Sequence, residues 1–297
     1  MQIKYHQQRF IVGLLFVVPA LAVAVVFFVY PIALTLRYSF TNWDGLFPQA
    51  EWVGLKNFAV VLGERSIKRV FFNTFYLVVL YVPVLNVLAV LIAVHIHNVV
   101  RLRNVYKAIM YLPQMLSLTV VGFVWKVIYS YDGGLINEAM IMLGLEWYTQ
   151  DWLGQRGTVL PAMSLTIVWS ALGYFILIYL AGLNAIPREL YESADVDGAG
   201  PLKQFLFITI PMLAQAITIS VTLSAIGILG LFDLPFVLTE GGPGYLSETL
   251  ALRVYMYAFA QLRIDYGLAM AVILGIISVL AALILLKLFR KREEVYG

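Results

Sequence analysis

Six stretches of this chain stay apolar for longer than the roughly 20 residues a helix needs to cross a bilayer's hydrocarbon core. They run over about 10–36, 71–97, 105–129, 159–186, 205–238 and 267–289. Lipid offers no partner to a free backbone N–H or C=O, so each stretch must be helical. Composition agrees: 62% of the 297 residues are hydrophobic and 12% are charged, against about 25% charged in soluble domains. The expectation is an all-α membrane protein with six transmembrane helices in a single domain over 1–297.

The first run follows Lys4 and Arg9. It is much longer than the roughly 7–15 apolar residues of a signal peptide, so a retained helix is expected. Pro19, Pro31, Pro83, Pro113, Pro211 and Pro235 lie inside the runs and predict kinks that neighbouring helices can accommodate. The fifth run, 205–238, is too long for one straight span. About 34 residues of helix measure some 51 Å, against roughly 30 Å of hydrocarbon. Gly227, Gly230 and Pro235 are its expected break points. Asp233 is ionisable in the same segment and is a candidate functional residue, or else a cap near the outer interface.

An even number of spans puts both termini on one side. The short loops and the tail carry Arg101, Arg103, Lys107, Arg188, Lys203 and Lys287–Arg292, which makes that side cytoplasmic. Arg65, Lys68 and Arg69 oppose this reading. The longer loops, 37–70, 130–158 and 239–266, hold the turn signals Asp132-Gly133-Gly134 and Gly241-Gly242-Pro243-Gly244.

Several chemistries are excluded. Without cysteine there are no disulfides, thiolate metal sites or Cys nucleophiles. His95 and His97 are two apart and share no helix face, and His6 stands alone, so no metal site is expected. No Lys/Arg-rich run suited to nucleic acid occurs away from the membrane edges. No G-x-x-x-x-G-K-[ST] phosphate loop is present, so this chain is not expected to be an enzyme. If it works with ATP, another subunit must bind it.

One island of charge interrupts the apolar pattern. Between Pro187 and Gly198, which suit the start and stop of a short helix, lie Glu189, Glu192, Asp195 and Asp197. With Arg188 and Lys203, the loop 187–204 carries two positive and four negative charges, a net −2. Glu189, Glu192 and Asp195 share one face and Leu190, Ala194 and Gly198 another. This pattern predicts either a solvated connector or a helix that meets a basic partner.

The loop resembles the "EAA" signature of permease subunits in ATP-binding-cassette importers. The matching residues are Glu192-Ser193-Ala194, Asp195-Val196-Asp197 and Gly198-Ala199, followed by Ile208-Thr209-Ile210-Pro211. Ser193 replaces an Ala of the pattern and Ile210 a Leu. The resemblance extends to the carbohydrate-uptake, maltose-importer-like branch. It is carried by Tyr30-Pro31, Ser39-Phe40-Thr41-Asn42-Trp43, Trp52–Phe58, Asn73-Thr74, Tyr111-Leu112-Pro113, Phe232-Asp233 and Leu238–Gly244.

It implies a type I ABC importer permease fold in a bacterial or archaeal cytoplasmic (inner) membrane. The implied partners are a second permease, two ATPase subunits that bind ATP and Mg, and an extracytoplasmic solute-binding protein. Glu192, Ser193, Ala194, Asp197, Gly198 and Ala199 then form the ATPase-coupling element, with Glu192 in a charge pair and Gly198 permitting close approach. Positions that line the sugar site in that branch fall on Ile167, Ser170, Ala171, Tyr174, Ser224, Gly227, Ile228 and Leu231, of which Tyr174 and Ser224 keep the family chemistry. Tyr174, Ser224, Gly227 and Leu231 of these, with Asp233 of the overlong fifth run and Trp169, are the expected substrate pathway. Glycerol-phosphate or another small polar solute remains an alternative cargo. An ion-driven secondary transporter would need buried relays, for which only Asp233 and Lys126 offer themselves.

Overall fold

The computed structural model describes residues 16–47, 49–98 and 103–296, with side chains described as far as residue 289. Residues 10–15 of the first expected helix, His6 and Arg101 lie outside the described set. No strand occurs among the described residues, only one isolated bridge between Thr41 and Trp52.

The helices are α1 (Phe16–Tyr38), α2 (Lys56–Gly63), α3 (Ile67–Asn98), α4 (Arg103–Met115), α5 (Leu118–Ile128), α6 (Leu135–Met142) and α7 (Val159–Ala185). They continue as α8 (Arg188–Val196), α9 (Pro201–Met212), α10 (Ala214–Leu229), α11 (Asp233–Thr239), α12 (Leu250–Ala260) and α13 (Ile264–Tyr296). Four are long and apolar enough to cross a membrane: α1, α3, α7 and the Ile264–Phe289 part of α13. The spans become six when two bent pairs are each counted as one, α4–α5 at 92° and α9–α10 at 68°.

The run 205–238 is thus divided three ways. Gly230 ends α10 and α11 begins at Asp233, as the expected break allowed, whereas Gly227 lies inside an unbroken helix. The 68° bend falls at Leu213, just after Pro211. The 92° bend follows Pro113, and Ser117 restarts the chain by capping α5 through Val120 N at 3.3 Å. Proline removes a backbone donor and crowds the carbonyl a turn earlier. At Pro31 and Pro211 this strain is spread over a five-residue π-segment, Val25–Val29 and Phe205–Thr209 respectively.

The chain forms two compact units. The first joins residues up to Glu64 with Val254–Ile273. No residue of the most apolar window of α1 is buried by this chain, so its covering must come from lipid or another subunit. The motif residues after α1 fold together. Asn57 Nδ2 donates to the carbonyls of Ser39 and Thr41 at 2.9 and 2.8 Å. Phe40 stacks on Trp52 at 5.3 Å, and Tyr38 stacks on Trp43 at 4.3 Å. In the same unit the Tyr257 hydroxyl donates to Glu64.

The second unit joins Arg65–Arg253 with the residues from Leu274 on. Helices α3 and α7 pack along most of their lengths, and α10 packs on both. Leu77, Leu85, Ala89 and Ala93 of α3 meet Met163, Ile176, Tyr179 and Leu183 of α7 in its core, and Ile228 of α10 joins them. Small residues set the spacing. A Cβ at Gly173 would stand 2.1 Å from the Met110 carbonyl oxygen, so α4 lies directly on α7 there. Such small-residue contacts are how helices approach closely when lipid supplies no hydrophobic drive. One polar knot ties the three central helices. The Tyr179 hydroxyl donates to Asn86 Oδ1 at 2.7 Å, and Asn86 Nδ2 donates to Val82 O at 2.7 Å and Ser224 Oγ at 3.2 Å.

Candidate functional site

The acidic island forms its own helix, α8. Pro187 precedes it as an extended N-cap (ψ 135°) instead of occupying its first turn. The C-terminal end is a closed double hydrogen-bonded cap. Ala199 N donates to Ala194 O at 2.9 Å and Gly198 N to Asp195 O at 3.1 Å, with Gly198 in the left-handed region at φ 72°. This is a Schellman arrangement, which glycine adopts without steric cost. A Cβ on Gly198 would meet nothing within 4 Å in this chain. Backbone conformation is therefore sufficient reason for the glycine.

One side of α8 is fastened to α9. The Tyr191 and Thr209 hydroxyls are 2.9 Å apart, and Gln204 Nε2 donates to Asp195 Oδ1 at 2.5 Å and to Ala199 O at 3.0 Å. Ser193 Oγ turns back on Glu189 O at 2.7 Å. The other side is open: Glu189, Glu192, Ser193 and Val196 are exposed, Val196 at 89%. Leu190, expected on the face with Ala194, is 40% exposed, while Ala194 and Ala199 are half-buried. The six residues singled out from sequence are thus one continuous helix end and cap. It carries an outward Glu192 on a backbone that is locked from behind.

The six residues assigned to a pathway are more dispersed. Ser224 is buried, donating to Ser220 O at 2.7 Å while accepting from Asn86. Leu231 is buried too, and its carbonyl accepts from Thr249 Oγ1 at 2.6 Å. Trp169 and Tyr174 are partly exposed on α7, but five residues of helix set them about 140° apart around the axis. Trp169 meets Trp125 edge-on at 5.6 Å. Gly227 is exposed, with no atom within 4 Å of its would-be Cβ. Asp233 is exposed in the first turn of α11, where a carboxylate suits the helix dipole. Lys126 Nζ donates to Val237 O at 3.3 Å, near the other end of α11.

Sequence reasoning missed the strongest polar assembly in the second unit. Glu248 and Arg253 are almost fully buried and joined at 2.8 Å (Nε to Oε1) and 3.1 Å (Nη2 to Oε2). Arg253 also donates to Ser66 Oγ at 3.0 Å and lies 4.9 Å from the Tyr245 ring centre. From α3, Asn73 Nδ2 donates to the carbonyls of Tyr245 and Glu248 at 2.7 and 3.0 Å, and Thr74 Oγ1 accepts from Leu250 N at 2.9 Å. Two motifs far apart in sequence, Asn73-Thr74 and the segment after Leu238, are therefore one structure. The available signal was a Glu and an Arg five residues apart, the Arg between the apolar Leu252 and Val254.

Comparison with known proteins is consistent across the chain. The family model "Binding-protein-dependent transport system inner membrane component" matches residues 58–295. The arabinooligosaccharides transport system permease protein AraP of Bacillus subtilis is 32% identical over 281 residues, covering 92% of this chain and 87% of that protein. The trehalose/maltose transport system permease protein MalF of Thermococcus litoralis is 30% identical over 295 residues, covering 99% and 98%. In fold, the chain superposes with TM-score 0.84 on a chain of a bacterial ABC transporter involved in import of the acidic polysaccharide alginate. That match has 22% identity and covers 98% of this chain and 99% of the other.

Proposed function

Since the chain belongs to the binding-protein-dependent transport system inner membrane component family, we propose that it is one permease subunit of an ATP-driven sugar importer. It forms half of the translocation pathway, and a second permease forms the other half. Two ATPase subunits bind ATP and Mg, and an extracytoplasmic binding protein delivers the cargo. The chain itself performs no catalysis. The reading of the cargo as an oligosaccharide draws on the relatives, whose names specify trehalose/maltose and arabinooligosaccharides.

The observation that carries this reading is α8. It offers a polar, acidic face to a partner while Tyr191 and Asp195 bind it to α9. Movement imposed on α8 is therefore handed to α9 and on to the joint at Leu213, beyond which lies α10 with Gly227. A charge-assisted contact from Glu192 to a basic ATPase residue would supply the grip. Tyr174, Gly227, Asp233 and Trp169 lie on open faces from which the pathway can be completed by the second permease. Ser224 and Leu231 support these faces from within.

The test is uptake of labelled maltose, trehalose and arabino-oligosaccharides by proteoliposomes holding the complete complex. Uptake should require this chain, the ATPases and ATP together. Accumulation by liposomes lacking this chain would end the proposal. Orientation is checked in the same system, because the chain has no cysteine of its own. Val196→Cys should react with impermeant maleimide only from the ATPase side and Met142→Cys, 84% exposed in the wild type, only from the opposite side. The reverse pattern would invert the topology.

A further inference from the structure

We infer that, in the sugar importer proposed above, a neutral saccharide unit binds in a cleft at the C-terminal ends of α5 and α11; the ligand class rests on that reading. The cleft has a volume of about 330 Å³ and lies wholly within the second unit. Small-molecule sites are typically roughly 300–1,000 Å³. Three segments line it: Lys126, Ser130 and Tyr131 at and just after the end of α5, Asp151 and Gly154 in the loop before α7, and Thr239 at the end of α11.

Three polar side chains in the cleft are held by one set of bonds and keep further valences free. Lys126 Nζ donates to Val237 O at 3.3 Å, and an ammonium has two more N–H donors. Asp151 Oδ1 accepts from Leu153 N at 3.2 Å and from Gly154 N at 2.9 Å, which leaves Oδ2 as an acceptor. A Cβ at Gly154 would stand 1.9 Å from that Oδ2, so glycine gives the oxygen its room. Ser130 Oγ donates to Lys126 O at 3.3 Å and keeps its lone pairs. Fixed donors and acceptors side by side suit sugar hydroxyls, each of which can do both. Tyr131, 59% exposed, adds an aromatic face, whose negative charge attracts the C–H side of a sugar ring.

The charge balance selects a neutral ligand. Lys126 and Asp151 are the two charged residues of the lining, and they cancel. Asp132, Arg156 and Glu240 lie within two residues of the lining in sequence. With them the sum is two positive against three negative. The C-terminal ends of α5 and α11 add partial negative charge, and the N-terminal end of α7 adds partial positive charge. No positive surplus remains to hold an anion. The cleft also connects inward. Tyr129, its buried wall, packs on Trp125 at 5.2 Å, and Trp125 meets Trp169 of the assigned pathway at 5.6 Å.

Protection of an introduced cysteine tests this, because the chain has none of its own. In the complete complex in lipid nanodiscs, without binding protein, millimolar maltotriose or arabinotriose should slow alkylation of Ser130→Cys. Met142→Cys, outside the cleft, should react at an unchanged rate. Adding Tyr131→Ala to Ser130→Cys should raise the saccharide concentration for half-protection about tenfold. Tyr131→Trp should keep it low, which separates a lost ring from lost folding. Uptake by the same complexes in proteoliposomes is measured in parallel. Uptake without protection would remove the cleft and leave the sugar-importer reading standing. Protection without uptake would keep the cleft as a saccharide site and remove that reading, and absence of both would remove both. Equal protection by trigalacturonate, or of Met142→Cys, would overturn the assignment to a neutral saccharide in this cleft.

Discussion

Replacing Arg253 with methionine will destabilise the protein by about 3–5 kcal/mol, the range for breaking one side of a buried ion pair. In the wild type both Arg253 and Glu248 are almost fully buried and meet through two contacts of 2.8 and 3.1 Å. The variant strips the Glu248 carboxylate of that cation inside a site built to exclude water. It also removes the donor to Ser66 and the cation beside the Tyr245 ring. The segment from Glu240 to Thr249 depends on this anchor and on Asn73. It contains left-handed backbone at Glu240, Gly241, Gly244 and Tyr245 and has little regular structure of its own. Thermal unfolding in detergent should show a clearly lower midpoint. Arg253→Met combined with Glu248→Leu should regain much of the loss, because a pair replaced by apolar groups of similar volume is often near neutral. Equal midpoints for wild type and Arg253→Met would mean that the pair contributes nothing.

Glu192→Ala will leave the chain folded and abolish most of its coupling to ATP hydrolysis. Glu192 is exposed, and among the described residues it has no ion-pair partner in this chain, so its removal should shift the chain's own stability by no more than about 0.5 kcal/mol. Against an ATPase the consequence is different. Loss of one partner from a desolvated, hydrogen-bonded charge pair corresponds to roughly 30-fold or more in a binding equilibrium, whereas a rim-exposed pair would change it by about fivefold at most. The measurements are co-purification of the ATPase and ATP hydrolysis stimulated by loaded binding protein. Gly198→Val should damage the same functions by another route. A β-branched residue at φ 72° is strained by about 1–2 kcal/mol, and the cap at Ala194 and Asp195 would loosen. Gly198→Asn is the discriminating variant, because Asn tolerates the left-handed region. If it works normally, the glycine serves the cap; if it fails like valine, a partner's backbone must come close. Wild-type assembly and stimulation in both Glu192→Ala and Gly198→Val would reduce α8 to a connector.

The sequence alone determined that the chain is helical and lipid-borne, because backbone in hydrocarbon has no other way to satisfy its N–H and C=O groups. It also located α8, since a net −2 between two apolar runs is visible without coordinates. Pro187 and Gly198 marked its ends to within two residues. Local chemistry sufficed in these places because solvation and backbone conformation act over a few neighbouring residues.

Where the long runs bend was not legible. Proline was noted at six positions, yet the sharp turns follow Pro113 and Pro211, while Pro83 sits within the continuous α3. A proline's effect depends on what packs around the freed carbonyl, and that is a property of the bundle. The same limit hid the surroundings of Ser224, which is buried. By position it suited a pathway, but contacts from α3 turn it toward Asn86. The Glu248–Arg253 anchor was equally invisible, because its burial depends on α3 presenting Asn73 and Thr74 from more than 170 residues away. Periodicity and charge report what each segment requires of its surroundings, whereas only the tertiary structure decides which distant segment supplies it.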